Sequence, residues 1–257
     1  MPLEDLFNSL VPQRMDTCGV MLPDGIRAII NGGSHTIWVH ETPPRPCYLK
    51  WIAPDSPARY GPGTKYRHVS VSLPYVIVLA CFIHGEQGKL TLSQSNEAFF
   101  RTAPLKRFDD ELLFPALLNC SKFAQPEGRP LSWICTQYLN RASFEKETDL
   151  NQRVRQALDA LLHEFREAGA NYSSEAHEGS SWFTESRRVD PRVATIEAWE
   201  AASAQNPMFV LDLPWLKTGL TLRQMTERML QYHRAAKPTA PTASALARLI
   251  FNSSAKP

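Results

Sequence analysis

The chain has 257 residues, 43% of them hydrophobic and 21% charged, the balance of a globular protein with a packed core. Its 28 basic and 26 acidic residues leave a net charge of +2, which excludes the broad basic footprint of a nucleic-acid-binding domain and equally an acidic tail. The five cysteines have no CxxC pair, so they read as reduced thiols in a cytoplasmic protein rather than as a disulfide framework.

The first segment, MPLEDLFNSLVPQRMD, carries acids and no continuous apolar stretch, unlike a signal peptide. The longest apolar run, Leu73 to Ile83, contains Pro74 and is too short to span a bilayer. A cytoplasmic location without membrane contact is expected. Cys18 to Leu22 and Ile26 to Ile30 flank Pro23-Asp24-Gly25 and read as a hairpin, because proline presets one φ and glycine accepts a positive one. Asn31-Gly32-Gly33 turns the chain into a third strand, His35 to His40, and Cys47 to Ile52 is a fourth. Pro54 to Gly63 holds too many prolines and glycines for regular structure and reads as a loop.

Val69 to Ile83 follows, with the continuous run VIVLACFI expected to be a central strand buried on both faces. Pro74 marks a bulge in it or its beginning. Lys89 to Gln94 and Ala98 to Thr102 read as further strand. After residue 145 the period changes. Leu150, Val154, Leu158, Leu161, Leu162 and Phe165 share one face of a helix over 148–168, capped by Thr148 or Asp149 and stopped by Gly169. A second helix begins near Pro191 or Val193 behind the cap Asp190 and runs to about Ser203. A third covers 221–234, with Leu222, Met225, Met229 and Tyr232 on one side. Strands first and helices afterwards predict an α+β fold: an antiparallel β-meander domain over 1–145, a helical region over 146–235 packed on the sheet, and a tail over 236–257 with a short helix near 244–251.

Several residues have the chemistry of a site. Cys135 follows a loop with glycine and prolines, which would present a thiol, but its neighbours Trp133, Ile134 and Tyr138 are core types. Cys120 is a second loop-end thiol; Cys18, Cys47 and Cys81 lie in apolar runs and read as core. His35 and His40 are five positions apart on one strand, so they face opposite ways and cannot form a local metal pair. No His/Cys/Asp spacing predicts a metal, and no phosphate-loop, dinucleotide, serine-hydrolase or zinc-protease motif occurs. No cofactor is therefore expected. Phe108-Asp109-Asp110-Glu111 reads as a helix N-cap, and Arg187, Arg188 and Arg192 as a solvated turn. The run NPMFVLDLPW (206–215) reads as a strap holding helices on the sheet, or as a docking arm.

Over residues 69–135 the order of features resembles the divergent prokaryotic E2-like proteins, which have the ubiquitin-conjugating (UBC-like) fold. The pieces are VSVSLPYVIVLACFI, the strand leading into FFRTAPL, the loop FDDELLFPALLN, and the cysteine in WIC. The resemblance implies a thioester cysteine at Cys135 and a loop asparagine at Asn119 that stabilises the oxyanion. The family's His-Pro-Asn triplet is missing, Pro115 and Asn119 are not adjacent, and the gap from Asn119 to Cys135 is long. The leading expectation is thus a non-catalytic protein-interaction component with a protein partner. The alternatives are an E2-like transfer enzyme using Cys135, and a phage or plasmid assembly protein.

Overall fold

The computed structural model describes residues 22–53, 55–57, 63–85, 90–115, 120–122, 130–134, 136, 139–167 and 189–235. Its strands are β1 (Ile26–Asn31), β2 (His35–Thr42), β3 (Arg45–Ile52), β4 (Tyr66–Leu73), β5 (Tyr75–His84), β6 (Leu90–Leu92), β7 (Glu97–Arg101), β8 (Glu111–Leu113), β9 (Cys120–Lys122), β10 (Ser132–Ile134) and β11 (Lys217–Thr221). The helices are α1 (Ala142–Glu145), α2 (Leu150–Glu167), α3 (Ile196–Gln205) and α4 (Leu222–Ala235), with single 3-10 turns at Pro191–Val193 and Phe209–Leu211. Antiparallel strands and helices coexist, so the fold class is α+β.

The main sheet runs β1-β2-β5-β7-β10-β9, with β6 on β5 and β8 bridging β7 to β11. β5 is its centre. Its residues Val76 to Phe82 are all buried, as a continuous apolar run requires when both faces are covered. The long run that opens at Val69 is not one strand. Pro74 has no N–H to continue a ladder, and there the chain leaves β4 and enters β5. β2 pairs with β5 along its whole length, from His35 opposite Ile83 to Thr42 opposite Val76. Between these partners the chain detours through β3 and β4, which pair only with each other as a separate hairpin. Pro43, Pro44 and Pro74 bracket the detour.

Residues of the C-terminal half close the free edge of that hairpin. The backbone N–H groups of Ser70 and Ser72 point away from β3 and donate to Glu200 Oε1 (2.9 Å) and Ser203 Oγ (2.8 Å) of α3. The Trp199 indole donates to the Ser72 carbonyl at 3.0 Å. An unpaired strand edge is a template for aggregation, and here one helix satisfies it with three side chains. Arg67 adds ion pairs to Glu197 (2.8 Å) and Glu200 (3.3 Å).

The helices follow the apolar periodicity. α2 buries Val154, Ala157, Leu158, Leu161 and Phe165, and Asp149 caps it by accepting from the Gln152 N–H at 2.8 Å. Asp190 caps only the 3-10 turn; Thr195 caps α3. α4 buries Leu222, Met225, Met229 and Tyr232. Its start is a reciprocal capping box: Gln224 N–H donates to Thr221 Oγ1 and Thr221 N–H to Gln224 Oε1. The acidic turn was expected to cap a helix of its own. It leads instead into β8, and its carbonyls at Phe108 and Asp110 accept from the first N–H groups of α4. The expected strand at Cys18 and the short tail helix lie outside the described residues.

Gly25 turns the chain into β1 with φ +81, and a Cβ there would stand 2.5 Å from His40 Nε2 and 2.9 Å from the Glu41 carbonyl oxygen. Gly25→Ala therefore combines left-handed strain with a backbone collision. It should cost at least about 1 kcal/mol, measured as a shift in the urea midpoint. The His40 ring itself is pressed against this turn. Burial pushes its pKa below the ordinary value, opposed by Asp159 of α2 and reinforced by Arg166 and Arg45, with Glu41 a small opposing charge. Its Nδ1 is buried with no hydrogen-bond partner. The native state thus holds His40 neutral, whereas the unfolded chain takes up a proton near pH 6.5. This contribution is full above that pH and is lost as pH falls through it. Urea titrations at about pH 7.5 and 5.5 should show a loss on acidification that is smaller in His40→Gln.

Candidate functional site

The residues that can do chemistry meet mostly inside the protein. Glu97 begins β7 and is fully buried, one strand from the central β5. Its Oε2 accepts from the backbone N–H groups of Leu131 (2.9 Å) and Ser132 (3.0 Å), and its Oε1 from the Tyr232 hydroxyl of α4 (3.1 Å). Burial pushes its carboxyl pKa up, against these three donors and the nearby charge of Arg228. Asn96 works beside it. Its Oδ1 accepts from the Cys81 N–H (3.0 Å), its Nδ2 donates to the Ser93 carbonyl (2.8 Å), and its own carbonyl accepts from the Ile134 N–H (2.9 Å). Two consecutive residues thus fix β10 at Leu131, Ser132 and Ile134. Trp133 contributes by donating its indole N–H to the Gln94 carbonyl at 2.8 Å.

This centre is sealed and its polar atoms are matched to fixed partners, so it performs structural work. Cys81 is also sealed within it, and burial pushes its thiol up to about 12, far from a usable nucleophile at neutral pH. Cys47 is buried as well. Both sit where the apolar runs placed them. Cys120 is a β9 residue paired opposite Ile134. Cys135, Asn119 and Cys18 lie outside the described residues. Among the described residues no group of three or more His, Cys, Asp or Glu is placed to hold a metal. His35 turns to Ser34 Oγ at 2.8 Å and His40 to the Gly25 turn. Of the arginine cluster, Arg192 is held by Asp190; Arg187 and Arg188 are outside the described residues.

The aromatic arm is a strap. Phe209 and Trp215 are buried, the Trp215 indole donates to the Val210 carbonyl at 2.8 Å, and its ring packs on Phe100 (5.2 Å) and Trp199 (5.7 Å). Only Met208 stays exposed among its large side chains. Beside the strap lies an open cleft of about 320 Å³, bordered by Arg101, Glu111, Leu113, Pro214, Trp215 and Lys217. Its charges are engaged. Arg101 donates to the carbonyls of Ala103 (3.1 Å) and Glu111 (2.8 Å) and pairs with Asp110, and Lys217 pairs with Glu111 at 3.4 Å.

What remains open is the outer face of the β3–β4 hairpin. Cys47, Leu49, Val69 and Val71 fill its buried face, so the alternation turns Pro46, Tyr48 and Lys50 outward beside Tyr66, His68 and Ser70. Tyr48 is 69% exposed. Sequence reasoning read the strand but gave no weight to this tyrosine, although C-Y-L-K-W announces an outward aromatic between two inward apolar residues. It also passed over Glu97, whose signal is an acid opening an otherwise buried run, EAFF.

No helix among the described residues is long and apolar enough to cross a membrane. No protein-family model, no curated protein and no solved structure matches the chain.

Replacing Glu97 separates its charge from its geometry. Glu97→Ala would strand two backbone N–H groups and a tyrosine hydroxyl in the core and should cost about 3 kcal/mol or more. Glu97→Gln keeps an acceptor for both N–H groups and offers its NH₂ to the tyrosine oxygen, and should cost less than about 1 kcal/mol. Denaturant unfolding of the two variants side by side measures the contrast.

Proposed function

We propose that this chain is a protein-binding component, on a scaffold resembling the prokaryotic E2-like modules, and that it catalyses no transfer of its own. The observation that carries the reading is the contrast between interior and surface. The polar groups most able to do chemistry, Glu97, Asn96 and the Cys81 thiol, are buried in the core. A tyrosine, by contrast, stands out from a strand pair whose back is packed and whose edge is capped. Buried Glu97 and Asn96 have internal partners and serve the fold. An exposed aromatic on a braced strand pair is the residue type that anchors protein interfaces. The modest net charge speaks against nucleic acid, and the buried thiols Cys47 and Cys81 fit the reducing cytoplasm.

A second reading has one observation behind it. β10 is held at three backbone positions and ends at Ile134, immediately before the cysteine that the E2-like resemblance makes the thioester acceptor. In that reading Cys135 would be the nucleophile and Asn119 would stabilise the oxyanion. The assembly reading has less behind it, because Phe209, Val210, Leu213 and Trp215 of the arm that would carry self-association are buried.

Alkylation of the native chain followed by peptide mass spectrometry across pH separates the two that remain. The expected result is protection of Cys47 and Cys81 and a Cys135 no faster than an unstructured thiol. A fast Cys135 with a depressed apparent pKa overturns the non-catalytic reading. In parallel, amine-reactive cross-linking in the source cells should give adducts with other proteins that survive reductant and Cys135→Ser. Self-adducts alone, or adducts that need Cys135, would overturn it.

A further inference from the structure

The outer face of the β3–β4 hairpin has a composition that selects among protein partners. It presents Tyr48 opposite Ser70 and Lys50 opposite His68, with Tyr66 beyond them and Pro46 at the start. The Lys50 ammonium lies 4.7 Å from the centre of the Tyr66 ring, a cation–π contact that holds a long, flexible cation in place. None of these six residues is acidic. At the rim, Glu197 and Glu200 share Arg67 and are turned to the β4 edge, and Asp55 pairs with Lys65 at 2.9 Å. The face is therefore an aromatic anchor beside a positioned cation, with no acid among its own residues.

The backbone beneath it is fixed. Ser70 and Ser72 are bonded to Glu200 and Ser203, and the Trp199 indole to the Ser72 carbonyl. A face held in this way loses little freedom when it is covered, and that lowers the cost of association.

We propose that this hairpin face docks an acidic peptide segment of a partner protein, with Tyr48 as the apolar anchor and Lys50 as the charge that reads a carboxylate. The proposal rests on the protein-binding reading and names its surface and the partner's chemistry. A second copy of the chain does not suit the face, since the same face on the copy offers no acid to meet Lys50. Nucleic acid does not suit it either, because binding a phosphate backbone needs many cations and this face offers Lys50 and a histidine.

The test uses the full chain and three fluorescent eight-residue probes: a Glu/Asp peptide with one central leucine and one phenylalanine, the same peptide with every acid replaced by lysine, and single-stranded oligouridine. Fluorescence anisotropy at low and physiological salt is expected to show salt-sensitive binding of the acidic peptide alone. Tyr48→Ala and Lys50→Glu should each weaken it by about tenfold or more, with melting temperatures close to the parent because Tyr48 packs little. Met208→Ala, at an exposed residue elsewhere, should leave binding unchanged. Three outcomes overturn the proposal: no binding of the acidic peptide, equal or tighter binding of the basic peptide or the oligouridine, and acidic-peptide binding that ignores both hairpin variants. If protein adducts persist in the cross-linking experiment while any of these holds, the fault lies in the assigned face and not in the protein-binding reading.

Discussion

The fold depends on a carboxylate that has no business being where it is. A buried, unpaired acid costs several kcal/mol, and Glu97 is fully buried near the middle of the main sheet. It is stabilised because three donors converge on it from two distant segments, Leu131 and Ser132 at the start of β10, and Tyr232 on the last described helix. Such a residue works only when all its partners arrive together. Glu97 consequently couples the sheet to the helix in a way that apolar packing, which tolerates sliding, does not. Removing Glu97 leaves all three donors without this acceptor, and that makes the arrangement specific to one alignment of β7, β10 and α4.

The same logic of distant partners repeats around the molecule. α3 completes the β4 edge, and the turn at Phe108 to Asp110 completes the start of α4. β11 joins the sheet through β8 from within the region read as helical. Each contact spans the sequence boundary near residue 145 between strand-rich and helix-rich halves. The two halves share one hydrophobic cluster, from Ile37 on β2 to Tyr232 on α4. The N-terminal strands therefore depend for their polar satisfaction on residues that follow them by a hundred positions or more, as in the pairs Ser72 with Ser203 and Glu97 with Tyr232.

Legibility in the sequence divides along this line. What is encoded locally was readable. The period of α2 and α4, the cap at Asp149, the buried centre of β5 and a strand beginning at Pro74 all rest on nearest neighbours. What is encoded in tertiary partners was not. The motif Phe108-Asp109-Asp110-Glu111 has the letters of a helix cap, yet only the arrival of α4 shows that its backbone, and not its side chains, does the capping. β11 is short and contains Gly219 at φ +72, so it has no strand periodicity to detect. For the candidate site, the inward cysteines were readable from their apolar runs. The importance of Glu97 and the openness of Tyr48 were not, because burial of the first and exposure of the second depend on which elements cover which face. Cys135 and Asn119 rest on the family resemblance alone.

The treatment of strand edges bears on how this surface recognises anything. A common mode of peptide capture adds a strand to an open sheet edge. Here the β4 edge is filled by Glu200, Ser203 and Trp199. The second residue of β3 is Pro46, which has no N–H to offer. β1 carries a register shift between Ile26 and Ala28, with Arg27 drawn across to Glu41. Bulges, prolines and charges of this kind are how proteins blunt an edge against unwanted pairing. With backbone pairing discouraged at each of these strands, the proposed recognition would fall to side chains projecting from a sheet face. Side-chain recognition discriminates by charge and shape, whereas backbone pairing accepts almost any extended chain. A tyrosine and a ring-held lysine on a hairpin locked from behind are the equipment for the selective mode.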